Sequence, residues 1–334
     1  MVLVTGATGI LGRVIVLELL KRGKSVRATK RTSSNIEEVH KSYRFYTEQP
    51  QEFFNKIEWI DVDFEDQDSL TKALHQVTEV YHCAAQVRFH PDDRRTMYHT
   101  NIEGTRQLLF ACENSSVQKF CFVSSTAVLD GVDDNGETTE DSNYNPKVNH
   151  SPYARSKHFS EMEVWRASAE GLQTVIINPG VIIGSGNWQS SSGEMFEAFE
   201  KYPYAMSGST AYVDVRDVTA IAISLMENNR FGERYIIISE TKKILEVANF
   251  VRQKLGKNKA KMISKEILTI GYLLNILFGW VFSKLRMMSK VNLETVTSHH
   301  IISNMKIKKE LDFEFIPVLD SIDFHLNNYI SDKK

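Results

Sequence analysis

The sequence predicts an α/β fold, a doubly wound parallel sheet with a smaller, mostly helical C-terminal lobe. Three observations lead there. The segment Leu3-Val4-Thr5-Gly6-Ala7-Thr8-Gly9-Ile10-Leu11-Gly12 reads as a short apolar strand, a glycine turn and a helix start. Apolar runs and amphipathic stretches then alternate through the first half of the chain. Runs such as Lys119-Phe120-Cys121-Phe122-Val123 and Thr174-Val175-Ile176-Ile177 are almost continuously apolar, the pattern of strands covered on both faces.

Taken in order, strands are expected at 1–5, 25–29, 57–61, 79–83, 119–124 and 173–178, with helices at 10–22, 66–76, 96–115 and 152–170. That alternation builds a parallel sheet through right-handed crossovers. The first turn has a chemical reading of its own. Backbone amides that cradle a pyrophosphate must come close to it, and glycines leave that approach open. The helix starting near Ile10 carries the apolar face Ile15-Val16-Leu17-Glu18-Leu19-Leu20 and aims its positive end at the anion. After residue 178 the alternation loosens, and 185–195 reads as a polar loop. The expected division is a nucleotide-binding domain over 1–178 plus about 211–240, and a substrate lobe over about 179–210 and 241–330. Ligands of open parallel sheets bind at the carboxyl ends of the strands, so the late segments are expected to close over that edge.

Composition narrows the function classes. The 334 residues are 42% apolar and 25% charged, enough for one large domain with an appendage or two modest ones. With a net charge of −2 and no long basic tract, no nucleic acid partner is expected. Cys83, Cys112 and Cys121 are an odd number without metal-ligand spacing, which fits a reducing compartment. No signal peptide precedes the first strand, so a cytoplasmic protein is expected. His299 and His300 are adjacent, point about 100° apart on a helix and cannot hold one ion together; no metal is expected.

Tyr153-Ala154-Arg155-Ser156-Lys157 stacks a phenol and an ammonium at i and i+4 on one helix face. A protonated lysine favours the phenolate, so the Tyr153 pKa is expected to fall and the group to serve as a general acid and base. A second pair of this kind, Tyr329 and Lys333, has nothing upstream of it and reads as a solvated terminus. The first pair has Val123-Ser124-Ser125-Thr126 at the end of a buried strand some thirty residues earlier. A hydroxyl there is placed to hold a substrate carbonyl beside the tyrosine.

With these pieces in this order, the chain resembles the extended branch of the short-chain dehydrogenase/reductase superfamily, the NAD-dependent epimerase/dehydratase family with its Rossmann sheet. Its dihydroflavonol-reductase-like and 3β-hydroxysteroid-dehydrogenase-like members look most similar. The matching pieces run through roughly 1–240. Beyond those above they are Asp61-Val62-Asp63-Phe64, His82-Cys83-Ala84-Ala85, Asn101-Ile102-Glu103-Gly104-Thr105, Asn178-Pro179-Gly180-Val181-Ile182-Ile183-Gly184 and Tyr212-Val213-Asp214-Val215-Arg216-Asp217-Val218. The resemblance implies roles. Gly6, Thr8, Gly9, Ile10 and Gly12 form the phosphate loop. Asp63 and Phe64 meet the adenine, and Ala84 and Ala85 line the path to the nicotinamide ribose. Ser125, with Ser124 as the neighbouring alternative, polarises the carbonyl. Tyr153 transfers the proton, Lys157 binds the ribose hydroxyls, and Pro179 and Val181 abut the nicotinamide. Asn101 is either a structural clamp or part of a proton relay. The resemblance also allows a homodimer through the helices at 96–115 and 152–170.

The second strand ends Val26-Arg27-Ala28-Thr29-Lys30-Arg31, with no acidic residue before Glu37 to take a ribose 2′-hydroxyl. Lys30 and Arg31 stand there instead, and a guanidinium suits a 2′-phosphate. NADP(H) is therefore expected rather than NAD(H), with Arg31 the main contact. Farther on, the apolar run 267–282 is shorter than a bilayer span. It reads as a buried helix of the lobe, a wall of a lipophilic pocket or, least favoured, a membrane contact backed by Lys284, Arg286 and Lys290. Asp217 is expected to cap a helix running from Val218 to Met226.

The function expected is an NADP(H)-dependent oxidoreductase that interconverts a ketone or aldehyde with an alcohol on an apolar small molecule, using Ser125, Tyr153 and Lys157. The alternatives are a nucleotide-sugar epimerase or dehydratase with tightly bound NAD, and a non-catalytic NADP-sensing regulator.

Overall fold

The structure is a computed structural model that describes every residue except Phe89, Ser190, Ser191, 279–281 and Lys334. Strand β1 (Val2–Thr5) leads through the glycine turn into α1 (Ile10–Lys21) and β2 (Val26–Lys30). The alternation continues through β3 (Glu58–Asp61), α2 (Gln67–Leu74), β4 (Glu79–His82), α3 (Gly104–Glu113), β5 (Lys119–Val123), α4 (Pro152–Ala169) and β6 (Gln173–Pro179). Later come β7 (Val181–Ile183), β8 (Ser209–Asp214), α5 (Val215–Glu227), β9 (Glu233–Ile237), β10 (Glu240–Lys243), α6 (Lys265–Phe278), α7 (Lys290–Thr297) and α8 (Val318–Asp332).

Seven strands form one parallel sheet in the order β9-β6-β5-β4-β1-β2-β3. The chain leaves β1 for β2 on one side and later returns to β4 on the other. That reversal opens a crevice beyond the carboxyl ends of β1 and β4. All six expected strands are in this sheet; β9 is the seventh. β8 pairs parallel with β7 and antiparallel with β10 in a separate three-stranded sheet.

Alternation along each strand feeds two apolar layers. Val2 and Val4 of β1 join Ile15, Leu19, Ile221 and Leu225 on one face. Leu3 joins Leu70, Leu108, Phe120, Phe122 and Val164 on the other. This period of two is why the strands read as continuous apolar runs.

Five expectations need correction. The helix expected over 96–115 is interrupted: Arg94–Tyr98 is α-helical, His99–Glu103 is a wider π turn, and α3 follows. Two hydroxyls crowd onto one carbonyl there, Thr105 and Ser160 donating to Asn101 O at 2.6 and 2.8 Å, a local competition with the helical ladder. The polar loop at 185–195 is shorter than expected, since a helix starts at Ser192. Asp217 does not cap α5. The helix begins earlier, at Val215, and Asp214 accepts from Arg216 N at 2.8 Å as its cap. Asp217 instead accepts from Ile316 N at 2.9 Å, and burial pushes its carboxyl up to about 7. The run beginning at 267 is not a buried helix. Most of the described part of α6 is exposed, with Leu268 its one buried apolar side chain among the described residues. Residues 279–281 of that run lie outside the described residues.

Finally, Tyr329 and Lys333 are no solvated pair. Tyr329 is buried against Trp188 and Phe196, and both it and Lys333 bond Glu200. They belong to a polar anchor that docks α8. Ser321 donates to Asp214 at 2.7 Å, and His325 sits between Asp214, at 3.2 Å, and Ser185, at 2.7 Å. A carboxylate only accepts, so His325 Nε2 carries the proton and Nδ1 accepts from the Ser185 hydroxyl. Burial opposes the Asp214 charge, but the Arg216 and His325 hydrogen bonds win and hold its carboxyl well below the usual range. Ser185 has no exposed surface, so this serine, histidine and aspartate are a fastening and not a nucleophile. Among the described residues no helix is long and apolar enough to cross a membrane.

Candidate functional site

A cleft of about 2210 Å³ opens at the carboxyl ends of the parallel strands. Drug-sized sites occupy about 300–1,000 Å³, so this one has room for a dinucleotide and a second molecule. The residues expected to hold the cofactor or carry the chemistry line it, from Gly6, Thr8, Gly9, Ile10 and Gly12 through Lys30, Arg31, Asp63, Phe64, Ala84 and Ala85 to Ser125, Tyr153, Lys157, Pro179 and Val181; Asn101 does not.

At the glycine turn the backbone folds onto itself. Gly9 N donates to Gly6 O at 2.9 Å. A Cβ at Gly12 would lie 2.3 Å from Gly6 O, and one at Gly6 would lie 2.6 Å from Ala84 N. Gly6 also has φ +64°, which side chains other than glycine rarely adopt. Helix α1 therefore starts against the end of β1, with Gly9 as a cap that has no side chain. Its first amides are left to a ligand.

Sequence reasoning missed what holds this turn. Arg13, one turn into α1, is 1% exposed. It donates to Gly186 O at 2.6 Å, to Gly9 O at 3.2 Å and to Thr8 O, and pairs with Glu38 at 3.0 Å. The guanidinium straps the turn to the segment after β7. The available signal was a cation placed directly after the last glycine, inside an otherwise apolar helix. His82 was missed as well. It lies 2.6 Å from Thr5 Oγ1 and 3.0 Å from Thr105 Oγ1, and burial pushes its pKa down to about 3. This neutral imidazole ties β1 to β4 beneath the cleft, while Thr5 Oγ1 also accepts from Ala84 N at 3.3 Å.

At the β2 end the two basic residues part ways. Lys30 Nζ is paired with Asp61 at 2.7 Å. Arg31 is exposed, and its guanidinium makes no hydrogen bond or ion pair to the described residues. It is the cation left for a ligand there. Phe64 closes this end, edge-on to His82 and against Gly104.

At the other end α4 begins inside the cleft. Pro152 opens it and Ser151 caps it, accepting from Ala154 N at 3.1 Å. Tyr153 thus falls in the first turn and Lys157 one turn deeper. Lys157 is 3% exposed; its ammonium donates to Val123 O at 2.7 Å and lies 4.8 Å from the Phe122 ring centre. Burial pushes its pKa down to about 8, against the pull of Cys83 and Glu161. The Tyr153 phenol does not show the expected fall. Burial raises it, and the hydrogen bond with Ser125 only partly offsets that. The lysine is turned toward a backbone carbonyl, so its charge does little for the phenol.

Ser125, in extended backbone, accepts from Ala127 N at 3.2 Å and bonds Tyr153. Ser124 is buried beside Glu161, which leaves Ser125 as the more accessible hydroxyl. Asn178 donates to Ser125 O at 3.1 Å and to Glu161 at 2.7 Å, steadying that loop. Asn101 is a clamp: its amide exchanges bonds with Gln86 N and O at 2.7 and 3.0 Å and donates to Ser156 at 2.9 Å. Met287, Val291 and Thr295, on and just before α7, form part of the far wall.

The chain is similar to known proteins in sequence and in fold. The sequence model of the NAD dependent epimerase/dehydratase family matches residues 2–238. Sterol demethylase protein B of Methylococcus capsulatus is 28% identical over 263 residues, 78% of this chain and 76% of that protein. Dihydroflavonol 4-reductase of Dianthus caryophyllus is 25% identical over 272 residues, 76% of this chain and 73% of that one. The crystal structure of gox2253 superposes with a TM-score of 0.83 at 26% identity, covering 99% of this chain and 98% of that one.

The buried lysine has a measurable signature. Its pKa falls from 10.5 to about 8 on folding, so below pH 8 the native state bears a buried charge at a cost. Between pH 8 and 10.5 the unfolded chain binds a proton that the native one releases, and stability rises with pH across that window. Lys157→Met is expected to be more stable than wild type at pH 7 by about 2 kcal/mol, the desolvation cost less one hydrogen bond. Urea unfolding at pH 7 and pH 10 checks this; the gap narrows at the higher pH.

Proposed function

This chain belongs to the NAD dependent epimerase/dehydratase family, whose oxidoreductases and epimerases use NAD(P), and we propose that it is an NADP(H)-dependent enzyme interconverting a carbonyl and an alcohol on an apolar ring-bearing small molecule. One observation carries the reading: the cleft has a hydroxyl, phenol and ammonium at one end and, at the other, the Arg31 guanidinium with no partner among the described residues. The names of two relatives, a sterol demethylase protein and a dihydroflavonol reductase, support an apolar ring system as substrate.

The residues fit the cofactor. The glycine turn and the uncapped start of α1 hold the diphosphate, and Asp63 and Phe64 border the adenine. Arg31 takes the 2′-phosphate, and Lys157 takes the ribose hydroxyls near Pro179 and Val181. NADPH bound there supplies a hydride to the carbonyl carbon. Ser125 donates a hydrogen bond to the carbonyl oxygen and fixes its position. Tyr153 delivers the proton to that oxygen, leaving a phenolate. Lys157, largely an ammonium at pH 7 and bonded to Val123 O, positions the ribose and leaves the proton to Tyr153; His82 and Cys83, which burial keeps uncharged, add no competing charge. In the oxidising direction the same proton returns to Tyr153.

The epimerase reading uses the same three residues. Arg31, without a partner among the described residues, and the missing carboxylate at the end of β2 favour the reductase. A sensor needs no aligned hydroxyl, phenol and ammonium, so the intact set favours an enzyme.

Tyr153→Phe is expected to lower kcat by about two orders of magnitude or more while the NADPH Kd stays near wild type, the usual scale of acid catalysis. Steady-state rates on a panel of apolar ketones, with fluorescence titration of NADPH, check it. Arg31→Asp is expected to raise the KM for NADPH about tenfold or more and to leave the NADH value little changed, the worth of one charged contact. Equal effects on the two coenzymes would contradict the assignment of Arg31.

A further inference from the structure

We propose that α6 and the basic segment around it seat this chain on the surface of an anionic lipid bilayer at the rim of the cleft. The helix is built inside out. Leu268, Gly271 and Asn275 form its inner side, with Gly271 against Met288 and Asn275 donating to Met288 O at 3.3 Å. The opposite side carries Ile267, Ile270, Leu273, Leu274, Leu277 and Phe278, all exposed. Their spacing of three and four residues makes one continuous stripe. None of the described residues of α6 belongs to the buried apolar clusters of the protein. An apolar stripe of this kind on a surface marks a docking face.

Charge decides what docks. Across 251–290 nine lysines and arginines meet one carboxylate, Glu266, in a chain whose net charge is −2. The balance of the whole chain hides this local excess, and reading only for a continuous tract misses it. Lys254, Lys257, Arg286 and Lys290 are paired, with Asp323, Glu200, Asp92 and Glu294, and Arg252 is buried. Lys259, Lys261 and Lys284 are exposed and make no ion pair with the described residues. An apolar helix face bordered by free lysines suits an anionic headgroup layer, because the stripe enters the acyl boundary while the ammonium groups stay among phosphates. A second copy of the same face would bring like charges together.

Length sets the orientation. Fourteen residues of helix span only about 21 Å, short of the hydrocarbon core. The helix therefore lies in the plane of the interface. Met287 and Val291, just beyond it, line the cleft, so the bilayer meets the protein where an apolar substrate enters. This route for substrate rests on the reductase reading; attachment to the bilayer does not.

The test is flotation of the intact chain with vesicles of phosphatidylcholine alone and with vesicles containing phosphatidylserine, at low and high salt. Wild type is expected to float with the anionic vesicles and about tenfold less in ~0.5 M salt, where charges at the surface are screened. Leu273→Asp/Leu277→Asp, at exposed positions, is expected to stay at the bottom of the gradient with an unchanged melting temperature and circular dichroism. Wild type failing to float at low salt overturns the proposal, and so does a variant that floats as well as wild type. Sedimentation in which the same variant turns a dimer into a monomer, with no wild-type flotation, assigns the face to a second copy instead. A chain that floats but gives no NADPH fluorescence change leaves the docking intact and defeats the reductase reading. One that binds NADPH and never floats does the reverse.

Discussion

The closeness of two backbone segments governs this structure. Helix α1 can start against the end of β1 only because Gly12 has no Cβ to meet the Gly6 carbonyl, 2.3 Å away from where it would stand. Gly6 in turn leaves room for the Ala84 amide. The two contacts bring β1, α1 and the segment after β4 to one point at the reversal in strand order. Arg13 then locks that point from below through carbonyls of the turn and of Gly186. A helix start with free amides results, held rigidly at the sheet edge where anions bind. The rest of the cleft is arranged relative to it.

Burial, more than charge pairing, sets the chemistry at the other end. The Lys157 ammonium is deep, lowered in pKa and bonded to a strand carbonyl. The Tyr153 phenol is raised by the same burial. Both groups are thus moved toward their neutral forms, while His82 is kept neutral outright. On the proposed reading, a proton held by a phenol of raised pKa and a lysine titrating near pH 8 form a site whose charge state is readily altered by what binds beside it. The expectation of a lowered tyrosine pKa took the spacing of the pair into account and left its desolvation out.

Much of this was legible in the sequence because the relevant information is local. A glycine turn between a strand and a helix, and apolar runs of strand length, locate β1, α1 and the six strands to within a residue or so. Tyr153 and Lys157 are four residues apart on one helix, and Ser125 ends a strand, so each could be placed without knowing the rest. What was missed depends on partners far along the chain. The role of Arg13 needs Gly186, that of His82 needs Thr105, and the cap of α5 went to Asp214 because Ser321 and His325 fold back onto it. The interruption before α3 likewise depends on Ser160 reaching Asn101. For α6 the apolar pattern was read correctly as a helix, but pattern alone does not say whether an apolar face is covered.

Calorimetric titration of NADPH into wild type and into Gly12→Val, with circular dichroism confirming that the variant is folded, tests the account most directly. Wild type should release or absorb heat with a Kd in the micromolar range or below, and the folded variant should bind at least about a hundredfold more weakly, the loss of several backbone hydrogen bonds to an anion. A variant that binds as wild type does, or a wild type that shows no heat with NADPH or NADH, would contradict it.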